Sequence, residues 1–210
     1  MEVIYNPIDI SLIRERAKEP IEPEMEELFK NHPVIVNVAR METQKGLHHL
    51  INIFGRVNRK LPQTRLVLIG DGSLRGQLEK QVLQKGLKGK VLFLGWRENP
   101  FPYVARAKLF ALTSLWEGFG MVLVESMALG VPPIAFKTRG GHVEVLENCC
   151  PLVEYPNEQR FAEKIVELLH EEEKYRELQR RALERVKEFS SERIAERYIT
   201  LFEELLSSKI

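Results

Sequence analysis

This sequence predicts a doubly wound α/β fold, a parallel sheet covered by helices on both faces. Three observations carry the prediction. Short apolar runs recur along the chain without the apolar–polar alternation of a sheet wetted on one side. Segments with apolar residues three and four apart, the mark of amphipathic helices, lie between those runs. Glycines and short polar turns stand where a run gives way to a helix.

Residues 1–33 read as a linker carrying two short helices. Val3-Ile4-Tyr5 is a strand candidate stopped by Asn6-Pro7, and helical stretches at 12–18 and 24–31 flank a turn around Pro20 and Pro23. The first sheet strand is expected over 34–39. A helix over 47–60 follows, with Leu50, Ile53, Phe54 and Val57 on one face. The second strand is 66–69, and Gly70-Asp71-Gly72 turns into a helix that Ser73 is placed to cap. Strand three is 91–94, followed by Gly95, a loop and a short helix at 103–107. Strand four is 109–112. Strand five is 131–136, with Pro132 and Pro133 confined to its start because proline cannot donate to a ladder. A sixth, shorter strand is 152–155. From Glu158 the chain is helical to its end, with breaks near Glu172 and at Ser190-Ser191, where a serine can cap the last helix.

Strands and helices in this alternation give a sheet of order 3-2-1-4-5-6 with right-handed crossovers. The expected organisation is therefore one Rossmann-like domain over 34–190 with a helical C-terminal extension over 191–210. No internal repeat or low-complexity segment interrupts it.

The composition narrows the partners. An apolar fraction of 44% is ordinary for a globular protein, and a net charge of +1 gives no bulk attraction to nucleic acid or membrane. No run approaches the roughly 20 apolar residues of a membrane span, and no signal peptide opens the sequence. Cys149 and Cys150 are adjacent, a poor arrangement for an ordinary disulfide and without metal-ligand spacing. They read as packing residues at a strand start, in a reducing, cytoplasmic setting.

The stretch from Thr113 to Gly130 holds the chemistry. It leaves strand four, bends through Glu117-Gly118-Phe119-Gly120 and continues as a helix that is apolar on almost every side. Glu125 lies among Val122, Leu123, Val124, Met127 and Ala128, where a lone carboxylate is costly without a hydrogen-bond partner. A glycine-flanked loop opening a helix is also an anion site, because its first N–H groups are unpaired. In the expected order, strands one and four wind in opposite directions and a crevice opens between their C-terminal ends. The loop after strand one brings Arg40 and Lys45 there. Amides near Gly120 to Val122 face them, so a phosphate fits between. Plainer readings remain open. Arg40 and Lys45 also suit surface ion pairs, Glu117 a solvated loop, and Glu125 a pairing with a core cation.

Glu117 and Glu125, seven residues apart within Glu-Gly-Phe-Gly-Met-Val-Leu-Val-Glu, resemble the E-x7-E motif of retaining GT-B glycosyltransferases, above all glycosyltransferase family 4. Val38-Ala39-Arg40-Met41-Glu42-Thr43-Gln44-Lys45-Gly46 resembles that family's phosphate loop. Leu68 to Gly72, Phe93-Leu94-Gly95 and Gly140-Gly141-His142-Val143-Glu144 fall where similar family segments lie. The resemblance spans the chain but covers only the family's C-terminal, nucleotide-sugar half. It implies that Glu125 accepts from the ribose hydroxyls and that Glu117 faces the sugar of a UDP- or GDP-hexose. Arg40 and Lys45 then bind the diphosphate and stabilise charge on the leaving group. Main chain of Gly118, Phe119, Gly120, Met121 and Val122 contacts phosphate or sugar, and the base lies near Gly95, Trp96 and Arg97. No cofactor or metal is implied.

It also implies an N-terminal GT-B domain as partner, on the same or a separate chain, which supplies the acceptor site. Residues 1–33 resemble the interdomain linker. The last helix, with Ile194, Ala195, Tyr198, Leu201, Phe202 and Leu205, crosses back to that domain. The chain alone is then inactive in transfer, and any contact with the inner membrane is left to the other half. Two further readings stand beside this one: a nucleotide-sugar epimerase of the same architecture, and a non-catalytic nucleotide- or partner-binding domain. A dehydrogenase is disfavoured because no G-x-G-x-x-G follows strand one.

Overall fold

The computed structural model describes residues 2–207. Helices α1 (Ile10–Arg16) and α2 (Pro23–Asn31) precede the sheet. The alternation then runs β1 (Val34–Val38), α3 (Leu47–Lys60), β2 (Arg65–Ile69), α4 (Arg75–Gln84), β3 (Val91–Gly95), α5 (Phe101–Arg106) and β4 (Leu109–Leu112). It continues through β5 (Trp116–Glu117), α6 (Met121–Ala128), β6 (Pro133–Lys137), β7 (Arg139–Gly140), α7 (His142–Leu146) and β8 (Leu152–Glu154). Helices α8 (Glu158–His170), α9 (Glu172–Arg185) and α10 (Ser191–Ser207) close the described chain.

Six strands form one parallel sheet in the order β3-β2-β1-β4-β6-β8, which is the expected 3-2-1-4-5-6. Two short strands, β5 and β7, pair separately, and the sequence pattern did not announce them. Along a strand, successive side chains point to opposite faces. Val34 and Val36 therefore enter one core with Val67, Phe110 and Ala135, while Ile35 enters the other with Leu66, Leu68 and Phe136. The first core is capped by α5, α6 and α9 through residues such as Val104, Leu123 and Ala182. The second is capped by α3, α4 and α8 through Phe54, Leu78 and Phe161. This double cover is why the strands are continuously apolar. Each such large side chain taken from water contributes about 1.5–3 kcal/mol.

Two expectations are corrected. Val3-Ile4-Tyr5 forms no strand; Tyr5 instead stacks its ring near Phe119 and Phe189, at 5.8 and 5.5 Å between centroids. Just beyond it Ile8 bridges Ser190, with the Ile8 N–H donating to Phe189 O at 2.8 Å. Nor does Ser73 cap α4, which starts at Arg75. Its N–H and hydroxyl both donate to the Glu42 carboxylate, at 3.0 and 2.7 Å, because an ionised acceptor outcompetes a helix end. His49 is half-buried and ties α3 to α8 through Glu158 at 2.7 Å.

The serine before α10 does cap it: the Arg193 N–H donates to Ser190 Oγ at 3.3 Å. Of the apolar residues of α10, Ile194 is buried, while Tyr198 and Phe202 are exposed together with Ile199.

Candidate functional site

The sheet reverses its winding between β1 and β4, and the crevice opens where those strands end. Their ladder is short, Ile35 opposite Leu109 and Val36 opposite Phe110. Beyond it the buried Asn37 amide donates to Ala111 O at 2.8 Å and holds the diverging ends together. Two loops leave this point and are stitched to each other. The Leu115 N–H donates to Gln44 O at 2.8 Å, Gln44 Nε2 to Trp116 O at 2.9 Å, and Thr113 Oγ1 to Lys45 O at 3.2 Å. Gly46 makes that closeness possible. Its φ of 57° is left-handed, and a Cβ there would lie 2.3 Å from Thr113 O.

Lys45 and Glu117 meet at the centre. Lys45 Nζ donates to Glu117 Oε1 at 2.5 Å, with side chains only 17% and 9% exposed. The hydroxyl of the buried Ser114 donates to the same oxygen at 2.7 Å. Ser114 is itself held, its carbonyl accepting from Thr138 Oγ1 at 2.9 Å. Glu117 is thus not a solvated loop acid. Its main chain lies in the β5–β7 ladder, Trp116 opposite Arg139 and Glu117 opposite Gly140. A Cβ on Gly140 would lie 1.7 Å from Glu117 O, so only glycine fits there. The sequence showed Ser114 and Thr138 only as ordinary polar residues near strand ends. Their contribution depends on two crossovers meeting.

Gly120, with a φ of 82°, swings the chain into α6 and leaves that helix without a side-chain cap. The N–H groups of Met121 and Val122 have no acceptor within the helix, as its first turn requires. Phe119 packs against Phe189 at 5.5 Å between centroids and fixes the loop from behind, while Gly118 O accepts from the Gly141 N–H at 2.7 Å. Glu125 follows on the next turn of α6, half-buried. Among the described residues nothing donates to its carboxylate, and burial pushes its pKa up. The pairing with a core cation, left open by the sequence, does not occur.

Arg40 is exposed at the end of β1 and forms no ion pair among the described residues. It is a free guanidinium at the mouth of the crevice. Gly95 ends β3 with a φ of 71°, and the neighbouring Trp96 is 71% exposed. The Arg97 side chain is committed elsewhere: Nη2 donates to Glu22 at 2.9 Å and Nε to Tyr103 OH at 3.2 Å. Two of its three guanidinium nitrogens are thereby engaged. Gly70-Asp71-Gly72 is a tight turn. A Cβ on Gly70 would lie 2.0 Å from Ala39 O, and Asp71 pairs with Arg75 at 2.9 Å. His142 is buried behind the loops with Nε2 3.0 Å from Phe136 O, and burial lowers its pKa. Among the described residues no group of three His, Cys, Asp or Glu is placed to hold a metal ion.

The two loops and α6 thus present, among the described residues, an arginine without an ion pair, a lysine paired with an acid, a helix start without a side-chain cap and a carboxylate that accepts no hydrogen bond. A ligand bearing negative charge at its middle and hydroxyl donors toward both acids complements that set.

Known proteins show the same arrangement of chain. The family described as Glycosyl transferases group 1 matches residues 19–185. An uncharacterised glycosyltransferase of Methanocaldococcus jannaschii is 27% identical over 96% of this chain and 57% of its own length. A Campylobacter jejuni 4-alpha-N-acetylgalactosaminyltransferase acting on a diphospho-undecaprenol acceptor is 29% identical over 92% of this chain and 51% of its own. Among solved structures, Anabaena HepE in complex with UDP and glucose superposes with a TM-score of 0.81 at 29% identity, over 99% of this chain and 57% of that one. The chain spans about half the length of the curated relatives it matches.

Proposed function

We propose, because this chain belongs to the Glycosyl transferases group 1 family, that it binds the nucleotide-sugar donor of a sugar-transferring enzyme. The observation that carries the reading is the crevice itself. Lys45, Glu117 and the open start of α6 face one another where the sheet reverses, and Glu125 waits one turn on without a partner. HepE, which matches over nearly the whole of this chain, is a structure with UDP and glucose bound.

The finer assignment is ours. The donor is a UDP- or GDP-hexose, and the transfer retains anomeric configuration as in glycosyltransferase family 4. Arg40 takes diphosphate oxygens bidentately, and Lys45 turns from Glu117 toward the β-phosphate as it enters. Both cations then stabilise charge on the departing nucleoside diphosphate, which makes a metal or cofactor unnecessary. The amides of Met121 and Val122 add helix-start dipoles, with Gly118, Phe119 and Gly120 shaping their approach. Glu125 accepts from the ribose hydroxyls and Glu117 from those of the sugar. The base rests against Gly95, Trp96 and the Arg97 main chain. The acceptor is held by a second, N-terminal domain that faces this crevice, and the exposed side of α10 reaches toward it. The enzyme works in the cytoplasm.

Calorimetric titration with UDP and with GDP tests the site. Saturable binding of one of them is expected, together with its loss in Arg40→Ala and in Glu125→Ala. Unchanged affinity in both variants would sink the assignment.

A further inference from the structure

We propose that the edge of the sheet where the strands begin, opposite the donor crevice, docks on an anionic lipid surface. All six strands are parallel, so the connections that precede them converge on one edge. Four of those connections carry cations. Lys30 precedes β1, and Arg59, Lys60 and Arg65 surround the turn into β2. Lys85, Lys88 and Lys90 occupy the turn into β3, and Lys108 precedes β4. Residues 28–34, 57–66, 83–91 and 105–109 contain no Asp or Glu.

Hydrogen bonds show that these turns are neighbours in space. The Arg65 N–H donates to Pro33 O at 3.0 Å, the Leu66 N–H to Lys90 O at 3.0 Å, and the Lys108 N–H to Val34 O at 2.8 Å. Lys90 Nζ reaches Pro62 O at 3.1 Å. The remaining half of the edge, ahead of β6 and β8, has no Lys or Arg between 129 and 132 or between 146 and 151. In a chain of net charge +1, the basic residues are therefore segregated rather than abundant.

Among the described residues none of these eight cations forms an ion pair. Elsewhere cations are routinely paired, as along α9, where Arg176 meets Glu172 and Arg180 meets Glu177. Two carboxylates close to the edge are engaged, Glu26 by Arg106 and Glu163 by Arg160, while Glu27, one turn before Lys30, forms no ion pair among the described residues. Lys30, Arg59, Lys60, Lys85, Lys88 and Lys108 are exposed.

The side chains of the four turns favour a lipid surface over a nucleic acid. Four adjacent strands spread the charge over about 14 Å of breadth. The four segments hold no exposed aromatic side chain on which a base could stack, Phe29 being buried. They do hold Leu83, 58% exposed in the last turn of α4, which can enter the lipid beside the lysines.

Co-sedimentation of the chain with vesicles tests this. Binding to mixed phosphatidylglycerol–phosphatidylcholine vesicles at low salt is expected, with none to pure phosphatidylcholine. Each lysine near an anionic surface strengthens partitioning by roughly fivefold, so Lys60→Gln/Lys85→Gln/Lys88→Gln lowers it by about a hundredfold. The control Arg176→Gln/Arg180→Gln/Lys187→Gln, with the same net charge, keeps most of the binding. Thermal melts establish that both variants are folded. The proposal is overturned if wild type ignores the acidic vesicles or if the two triple variants behave alike. It is equally overturned if a single-stranded oligonucleotide binds more tightly than the vesicles.

Discussion

Glu125 occupies the second turn of α6, half-covered and without a donor among the described residues, and burial alone raises its pKa. The sign of the consequence follows from linkage. Between the ordinary value of 4.5 and the raised folded value, the folded chain binds more protons than the unfolded one. Stability therefore falls as pH rises through that window. Glu125→Gln is expected to raise the stability of the ligand-free chain at pH 7 by about 1 kcal/mol, a Tm gain of about 2–4 °C, and to leave it unchanged at pH 4. Melts at the two pH values check this, and a wild type as stable as the variant at pH 7 contradicts it. A carboxylate kept at a cost to stability accords with the binding role proposed for Glu125. In the sequence Glu125 stood out because its neighbours are all apolar. Ser114 did not, because a serine becomes a positioning group only through the acid folded against it, 2.7 Å away.

At the scale of elements, two close approaches shape the site. Gly46 lets the two loops touch, and Gly140 lets β7 lie against β5. Gly46→Ala forces a Cβ toward Thr113 O and a left-handed φ on alanine, so a loss of roughly 2–3 kcal/mol is expected in denaturant unfolding. A loss under 0.5 kcal/mol would show that the loops separate freely. Asn37→Ala leaves Ala111 O buried without its donor and is expected to cost about 1–3 kcal/mol by the same measurement. The strands were legible as continuous apolar runs between turns, and α3 because its apolar residues recur three and four apart. Strands β5 and β7, two residues each, leave no periodic trace and exist only because two crossovers bring them side by side. The failed strand at Val3 to Tyr5 is the converse case. Its pattern is adequate, but its ring contacts and the Ile8 bridge draw it to the last helix instead of the sheet.

The described molecule has at one end of its sheet the crevice proposed to take the donor, a basic edge at the other, and an apolar strip on α10 where Tyr198, Ile199 and Phe202 are 43–57% exposed. Exposed residues of that kind on one helix favour association. The weight-average mass of the chain in light scattering is expected to rise with concentration and to stop rising in Tyr198→Lys/Phe202→Glu. A wild type that stays monomeric throughout would show the strip to be innocuous. The sequence by itself determined a parallel sheet covered on both faces, because buried parallel strands must be apolar throughout, and the strand order expected for such a fold is the one observed. It also marked Arg40, Lys45, Glu117 and Glu125, since charges beside glycine loops or inside apolar helices conflict with packing. Tertiary structure alone decided that Lys45 rests on Glu117, that the Arg97 side chain is spent on Glu22 and Tyr103, and that Glu125 has no partner. It alone gathered cations from four separate turns onto one edge. Those outcomes depend on distances between residues far apart in the chain, and no local pattern encodes a distance.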